Sequence, residues 1–389
     1  MGRLLSLAWK HARFRWVRTC LLISGLSLAI SIPLATSLMT GMIESSLLSR
    51  AEQVPFVVGP PGSADELVVN TLYFRPRDNS LLDYDVLEKV EQDHLVSAVP
   101  IHLRHTSHHF PIVGTSRDYF LKHSHAVQGQ LFDRIGDCVL GADVARELDL
   151  TTGESILSDS DSYLNPTGAL PLRMRIVGIL KASHSPDDRA VFVDLKTGWL
   201  LDGIGHGHAA ALHDTGNKDA SLSATHGGLT GGGVSYLEVT DENFQSFHFH
   251  GNQNKFPMTS LLVYPESDRS GIIWEGRLAE DQTLLTVRPV DVIRDLLGVL
   301  VNIQQLVNTI ALILGVIVSV LFAVIVAFSL QLRQTEMQTL DALGASRFLR
   351  VQLICYDLLL IVLLTLPLSA ILSYGMITIF RPWIEQILL

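Results

Sequence analysis

Three stretches of the chain run without a charged residue: 19–43, 307–330 and 358–380. A helix needs about 20 apolar residues to cross ~30 Å of hydrocarbon, so the pattern predicts three membrane spans. The first run is too long for the apolar core of a cleaved leader, and Pro33 is expected to kink its helix. A short polar bridge, QLRQTEMQTLDALGASRFLR at 331–350, joins the second run to the third. Met337, Leu340 and Leu343 fall on one helical face, with Glu336 and Asp341 off it, and Gly344 can close that helix in a left-handed cap. A bridge this short makes the two spans antiparallel neighbours. Its amphipathic face suits docking into a groove on a soluble partner; a helix lying on the membrane surface is the plainer reading.

Between the first and second runs the periodicity changes. Residues 55–59 read as a strand entering a turn at 59–62, and 66–74 as a long strand or strand pair. Residues 84–94 read as a helix with Val86, Leu87 and Val90 inward, and 96–104 and 110–115 as strands. Gly141 is placed to open a helix over 142–148 that buries Val144, Ala145 and Leu148. Gly153 makes a tight turn into a strand at 155–157. Two alternating strands, 174–180 and 190–193, are expected to flank an exposed polar turn in a small β-rich lobe. The stretch 290–305 is helical and continuous with the second span. Residues 44–295 therefore read as a mixed α+β domain.

Charge orients the chain. Charged residues make up only 17% of it and the net charge is −10, while mean hydropathy is +0.31. Arg3, Lys10, Arg13, Arg15 and Arg18 precede the first run with no acid among them. The positive-inside rule puts 1–18 in the cytoplasm as an interfacial amphipathic helix, and 44–295 outside. The acids concentrate in that outer part, and there is no basic face for nucleic acid. The three cysteines are scattered and form no CxxC pair, so neither a disulfide framework nor a thiolate metal site is expected. Phosphate-binding G-x-x-x-x-G-K-[ST], H-E-x-x-H and G-x-S-x-G motifs are absent, so the chain is read as non-catalytic.

The chemistry with the strongest signal is imidazole. Of 15 histidines, 14 lie between His94 and His250. One group is His102, His105, His108 and His109, followed by His123 and His125; metal handling is weighed here too, and the plainer reading is preferred, with His105, His108 and His109 flanking strands on a solvated edge. The second is His206, His208, His213 and His226 in a Gly-rich segment, followed by His248 and His250. Neutral imidazole is a ligand for zinc, copper and nickel, so the second group is the candidate metal site, with zinc first. Incidental metal binding by a polar loop is the competing reading. Asp357, beside the third run, is an intramembrane acid, read more simply as an acid near a helix N-terminus.

The order of pieces adds a resemblance. IVGTSRDYF begins at Ile112, GQLFDRIGDCVLGADVARELDLTTGESIL follows, and RMRIVGILKASHSPDDRAVFVDL comes later. This sequence of strand-loop, turn, V-L-G helix and V-x-G-I-L strand resembles the periplasmic core domain of MacB/FtsX-like ABC transporter permeases (the type VII ABC superfamily). The bridge resembles that family's R-x-x-E-x-x-x-L-x-A-L-G-A-S through Arg333, Glu336, Leu340, Ala342, Leu343, Gly344, Ala345 and Ser346.

The resemblance implies a bacterial inner-membrane permease subunit. It would have an α-helical transmembrane part of three spans and a large α+β extracytoplasmic domain of the MacB periplasmic core type. A separate cytoplasmic ABC ATPase would dock on the bridge, and a second permease chain would complete a homodimer; a periplasmic partner is compatible with this. The expected divisions are 1–18 cytoplasmic, 19–43 first span, 44–295 outer domain with a His-rich insertion at 203–250, 296–332 stalk and second span, 333–350 coupling loop, 351–380 third span and 381–389 outer tail. The family usually has a fourth span, and residues 381–389 are too few to supply one. A membrane-anchored metal-binding or sensor protein without transport activity is the alternative reading.

Overall fold

The structure is a computed structural model that describes residues 10, 13–14, 16–75, 80–159, 171–207, 236–240, 243–244, 247–278, 281–332 and 347–388. These divide into a helical unit, Met1–Ser45 with Leu297–Ile387, and a sheet-based unit over Ser46–Leu296.

In chain order the helix α1 (Trp16–Glu52) runs through Pro33. Strand β1 (Phe56–Gly59) and helix α2 (Ala64–Tyr73) follow, then β2 (Leu82–Asp83), α3 (Asp85–Glu91), β3 (Val96–Ser107) and β4 (Phe110–Thr115). Next come α4 (Asp118–Lys122), β5 (Val127–Gly129), β6 (Asp137–Leu140), α5 (Ala142–Leu148), β7 (Ser155–Leu157) and β8 (Leu172–Leu180). The middle of the chain continues with β9 (Val191–Asp194), α6 (Leu195–Leu201), β10 (Gly205–Gly207), β11 (Leu237–Glu238) and β12 (Phe247–Phe249). It closes with β13 (Pro257–Met258), β14 (Ser260–Pro265), α7 (Asp268–Leu278), β15 (Leu285–Val287), α8 (Pro289–Leu332) and α9 (Arg347–Leu388).

Among the described residues one 11-stranded sheet carries the domain, in the order β11-β8-β6-β9-β4-β3-β14-β1-β15, with β5 and β7 also paired to β8. The expected small β-rich lobe is therefore part of this sheet. β9 pairs with β4 in parallel and with β6 antiparallel, joining the two halves. β8 (LRMRIVGIL) alternates buried and less buried positions along its length, as a strand with one face on a core must. One core gathers Phe110, Ile112, Leu140, Val144, Met174, Ile176 and Val191. A second gathers Phe56, Val58, Val90, Val96, Leu261, Val263 and Trp274.

Residues 66–73, expected as strand, are helical, and Phe74 ends the helix in the left-handed region. The Ser63 side chain accepts from Glu66 N–H, and Asp65 and Glu66 occupy the first turn, where a cap and the helix dipole favour them. Leu67, Val68, Thr71 and Leu72 are buried, at helical spacing; tertiary burial overrides the β-branched composition. The segment between β8 and β9, expected as an exposed polar turn, is a 3₁₀ turn (Pro186–Arg189) with Asp187 and Asp188 buried.

The helix over 142–148 forms as its Gly141 start predicts. Gly141 is also required for a reason the sequence does not give. A Cβ there would lie 2.4 Å from the Asp187 carbonyl oxygen and 2.3 Å from that of Asp188. Gly141→Ala is expected to force this contact apart at about 1–3 kcal/mol, measured as a lowered Tm of the purified chain; an unchanged Tm would mean that the turn yields freely.

The helical unit contains helices long and apolar enough to cross a membrane. The three candidate segments are Thr19–Glu52, Pro289–Ile325 and Leu358–Phe380. α1 and α9 pack through small polar residues. Ser27 Oγ donates to Thr365 O at 3.3 Å and Ser373 Oγ to Ser31 O at 3.2 Å, with Ala35 fully buried. Small residues allow this close approach of the two helices.

Candidate functional site

The last turns of α1 belong to the sheet-based unit, and Arg50 fastens them into it. Its side chain is 4% exposed and faces Asp187, which is fully buried. Arg50 donates two parallel bonds to the Asp187 carboxylate, each 3.0 Å. A third bond, 2.6 Å, goes to the Tyr119 hydroxyl, which in turn donates to Asp187 Oδ1 at 2.5 Å. Arg50 Nε reaches Leu72 O at 3.4 Å, and the guanidinium lies 5.8 Å from the Phe74 ring centroid. One turn earlier, Leu47 O accepts from the Tyr73 hydroxyl at 3.0 Å. Bidentate geometry with further hydrogen bonds is what makes a buried ion pair tolerable.

His125 and His123 complete the cluster. His125 Nε2 is 2.9 Å from Asp187 Oδ2 but off the hydrogen-bond line, and it is without another partner. His123 stacks on Tyr119 with ring centroids 4.4 Å apart, and its Nδ1 lies 2.9 Å from Tyr119 O. Burial pushes the Asp187 carboxyl up, but the Arg50 guanidinium, with His125 and Tyr119, more than offsets this and holds it well below the usual carboxylate range. Burial raises the Tyr119 phenol well above its ordinary value. Burial, aided by the Arg50 charge, lowers His123 to about 4. The cluster therefore holds the Arg50 cation against the Asp187 anion.

A second cluster lies on β3 and at the end of α6. Successive β3 residues 101 and 102 face Thr115 and Gly114 of β4, but His105 faces Ile112; the register slips by one between His102 and His105. On a regular strand residues three apart point to opposite faces; the bulge adds a residue and turns both imidazoles the same way. Asp202 caps α6, its N–H donating to Gly198 O and Leu200 O. Its Oδ1 lies 2.8 Å from His105 Nε2 and 3.4 Å from Arg104 Nη1, and its Oδ2 lies 2.9 Å from His102 Nε2. Burial raises the Asp202 carboxyl, and the two imidazoles beside it outweigh this and hold it low. His102 is 1% exposed and His105 15%, so His105, expected on a solvated edge, is instead largely covered beside Asp202.

His108 and His109 are different again. Both have positive φ, 51° and 70°, and form the two-residue turn between Ser107 and Phe110. Both backbone N–H groups donate to the Asp159 carboxylate. They are turn residues of the primed hairpin type.

Of the second histidine group, the backbone register sets His206 of β10 opposite His248 of β12, and the His248 and His250 rings are 4.6 Å apart. His208, His213 and His226 lie outside the described residues, as do Arg333, Glu336, Leu340, Ala342, Leu343, Gly344, Ala345 and Ser346 of the bridge, and the side chain of Asp357. Two components escaped the sequence reading: the Arg50–Asp187 pair and the Asp202 ligand to the β3 imidazoles. The only signal for the first was a lone arginine at the end of an apolar helix.

The architecture is an α+β sheet domain entered from one long apolar helix and left by another. The sequence matches the MacB-like periplasmic core domain family over residues 19–219. The chain belongs to the MacB/FtsX-like ABC transporter permease family. Among solved structures it is similar to the periplasmic region of MacB from Actinobacillus actinomycetemcomitans, at 9% identity and a TM-score of 0.36, covering 65% of this chain and 97% of that one. It is also similar to the extracellular domain of the noncanonic ABC-type transporter YknZ from Gram-positive bacteria, at 9% identity and a TM-score of 0.31, covering 60% and 98%. The comparison with curated proteins found no match.

Proposed function

We propose that the chain is the permease subunit of an ABC transporter of the mechanotransmission type. A separate cytoplasmic ATPase binds the bridge at 333–350, and its cycle is passed through the helices to the extracytoplasmic sheet domain. The observation that carries this is the family match, which runs from α1 into the sheet domain without a break. Support comes from three helices of spanning length and composition and from the basic residues at 1–18, which favour a cytoplasmic N-terminus. Residues 44–295 are then outside, and two permease chains pair with two ATPase chains. The exposed apolar surface of α8, including Leu312, Val316 and Val320, suits lipid or a second copy.

The test is purification of the chain with its ATPase. Replacing 336–343 by a Gly/Ser linker is expected to strip the ATPase from the complex while the chain stays in the membrane fraction. Unchanged copurification would sink the docking role of the bridge.

A metal-related version of this reading is favoured by the register of His206 against His248. Together with His208, His213, His226 and His250 these residues would hold zinc outside the membrane, either for a zinc-linked transport role or in a metal-binding protein without transport. ATP hydrolysis by the purified complex separates the two.

A further inference from the structure

We infer that His102, His105 and Asp202 form a binding site for one divalent transition-metal ion of the zinc class, leaving one coordination position for water or an incoming ligand. The inference is independent of the permease reading and uses none of the histidines from 206 onward. One ligating atom from each residue lies within 4.8 Å of the others. A tetrahedral ion holds its nitrogen and oxygen ligands at about 2.0–2.1 Å, which sets them roughly 3.3 Å apart. The two imidazole–carboxylate distances, 2.9 Å to Oδ2 and 2.8 Å to Oδ1, run to different oxygens, so the Asp202 carboxylate turns to present its oxygens to one ion between the two rings.

The plainer account is two histidines hydrogen-bonded to one aspartate. It holds for His105, whose Nε2 makes a 2.8 Å bond to Oδ1. For His102 the pairing with Asp202 is a close contact without hydrogen-bond alignment. The His102 ring nitrogens and Asp202 Oδ2 are buried without a hydrogen-bond partner, although Nε2 and Oδ2 stand 2.9 Å apart. A donor and acceptor at that distance but out of line are arranged as two ligands around a shared ion. Left unmade, such a bond is expensive in a buried site, and ligation of Nε2 and Oδ2 by one cation satisfies both atoms.

The surroundings are built to seat this ring. A Cβ on Gly198 would lie 2.8 Å from His102 Cδ2, and one on Gly114 would lie 3.2 Å from His102 Cβ. Two glycines from α6 and β4 thus open the notch that the imidazole fills. The β3 bulge brings His105 to the same side, and the cap of α6 fixes Asp202. Arg104 is a cation that a bound metal would displace from Asp202. Its contact with Asp202 is long, 3.4 Å, and its side chain is 30% exposed, so it can withdraw into solvent when a cation takes the carboxylate. His105, 15% exposed, marks the side from which an ion enters. Two imidazoles and a carboxylate without thiolate select zinc and its neighbours over calcium or magnesium.

The experiment titrates zinc into the purified full chain against a chromophoric chelator. It uses a background in which His206, His208, His213, His226, His248 and His250 are all asparagine. One tight equivalent is expected to remain in that background and to weaken about 100-fold on adding Asp202→Asn or His105→Gln. Cobalt supplies a second readout: visible d–d absorption is expected in the background and absent from both variants. His105 is partly exposed, so His105→Gln decides the matter if Asp202→Asn fails to fold. Zinc binding unchanged in His105→Gln, or all tight binding lost on replacing the six later histidines alone, overturns the inference.

Discussion

Arg50→Ala is expected to destabilise the sheet domain by about 3–5 kcal/mol, because it leaves the Asp187 carboxylate buried without its cation. The loss exceeds that of a surface pair, since both partners are shielded from water and joined by two bonds of 3.0 Å. For a domain of this size the shift is roughly 10 °C in Tm, measurable on the purified chain by tryptophan fluorescence. Arg50→Leu combined with Asp187→Leu should recover much of the loss, because no charge is then left unpaired. A single mutant melting within about 1 °C of the parent would mean that the pair contributes little.

The same cluster makes the domain acid-labile in two stages. His123 titrates at about 4 in the folded chain against an ordinary 6.5. As the pH falls from 6.5 towards 4, the unfolded chain takes up a proton that the folded domain refuses. Stability therefore declines over that window, by up to about 3 kcal/mol. Asp187 acts lower. Its folded value is depressed, so its contribution is present above the unfolded carboxylate range and is lost as the pH falls through the folded value. His123→Gln should remove the first stage and keep the second. The measurement is Tm against pH from 7.5 to about 2 for both proteins; parallel curves between 6.5 and 4 would exclude His123 as the source of the first stage.

The legible parts of the fold are those in which the local pattern and the tertiary environment agree. β8 alternates because one face lies on a core, and α5 starts at Gly141 because an extended residue must precede it. α2 was obscured because its buried Leu67, Val68, Thr71 and Leu72 also suit a strand, and only the cap at Ser63 separates the two. The ionic cluster was illegible for a different reason. Asp187 sits in Ser-His-Ser-Pro-Asp-Asp-Arg, which has the composition of a solvated turn, and its partner is 137 residues away. The His102 site was hidden by the strand rule itself. Residues 102 and 105 share a face only because of the bulge, and nothing in the local sequence announces it. The long apolar helices and the family were legible because uncharged runs and a long ordered motif both leave signals in composition and order.

The placement of β1 and β15 decides how the sheet answers a pull. β1 follows α1 after three residues and β15 precedes α8 after one, and the two strands are antiparallel neighbours at the end of the sheet. Their ladder runs Val57↔Val287, Val58↔Thr286 and Gly59↔Leu285, so both helices join it at the same end. Drawing the helix ends apart would peel this ladder open one pair at a time, as a zipper opens, and little force is needed. Drawing both in the same direction moves the two strands together and puts no load across their ladder. Arg50 changes the first case. By clamping the end of α1 to the turn between β8 and β9, it diverts a separating load past the three-pair ladder and into the middle of the sheet.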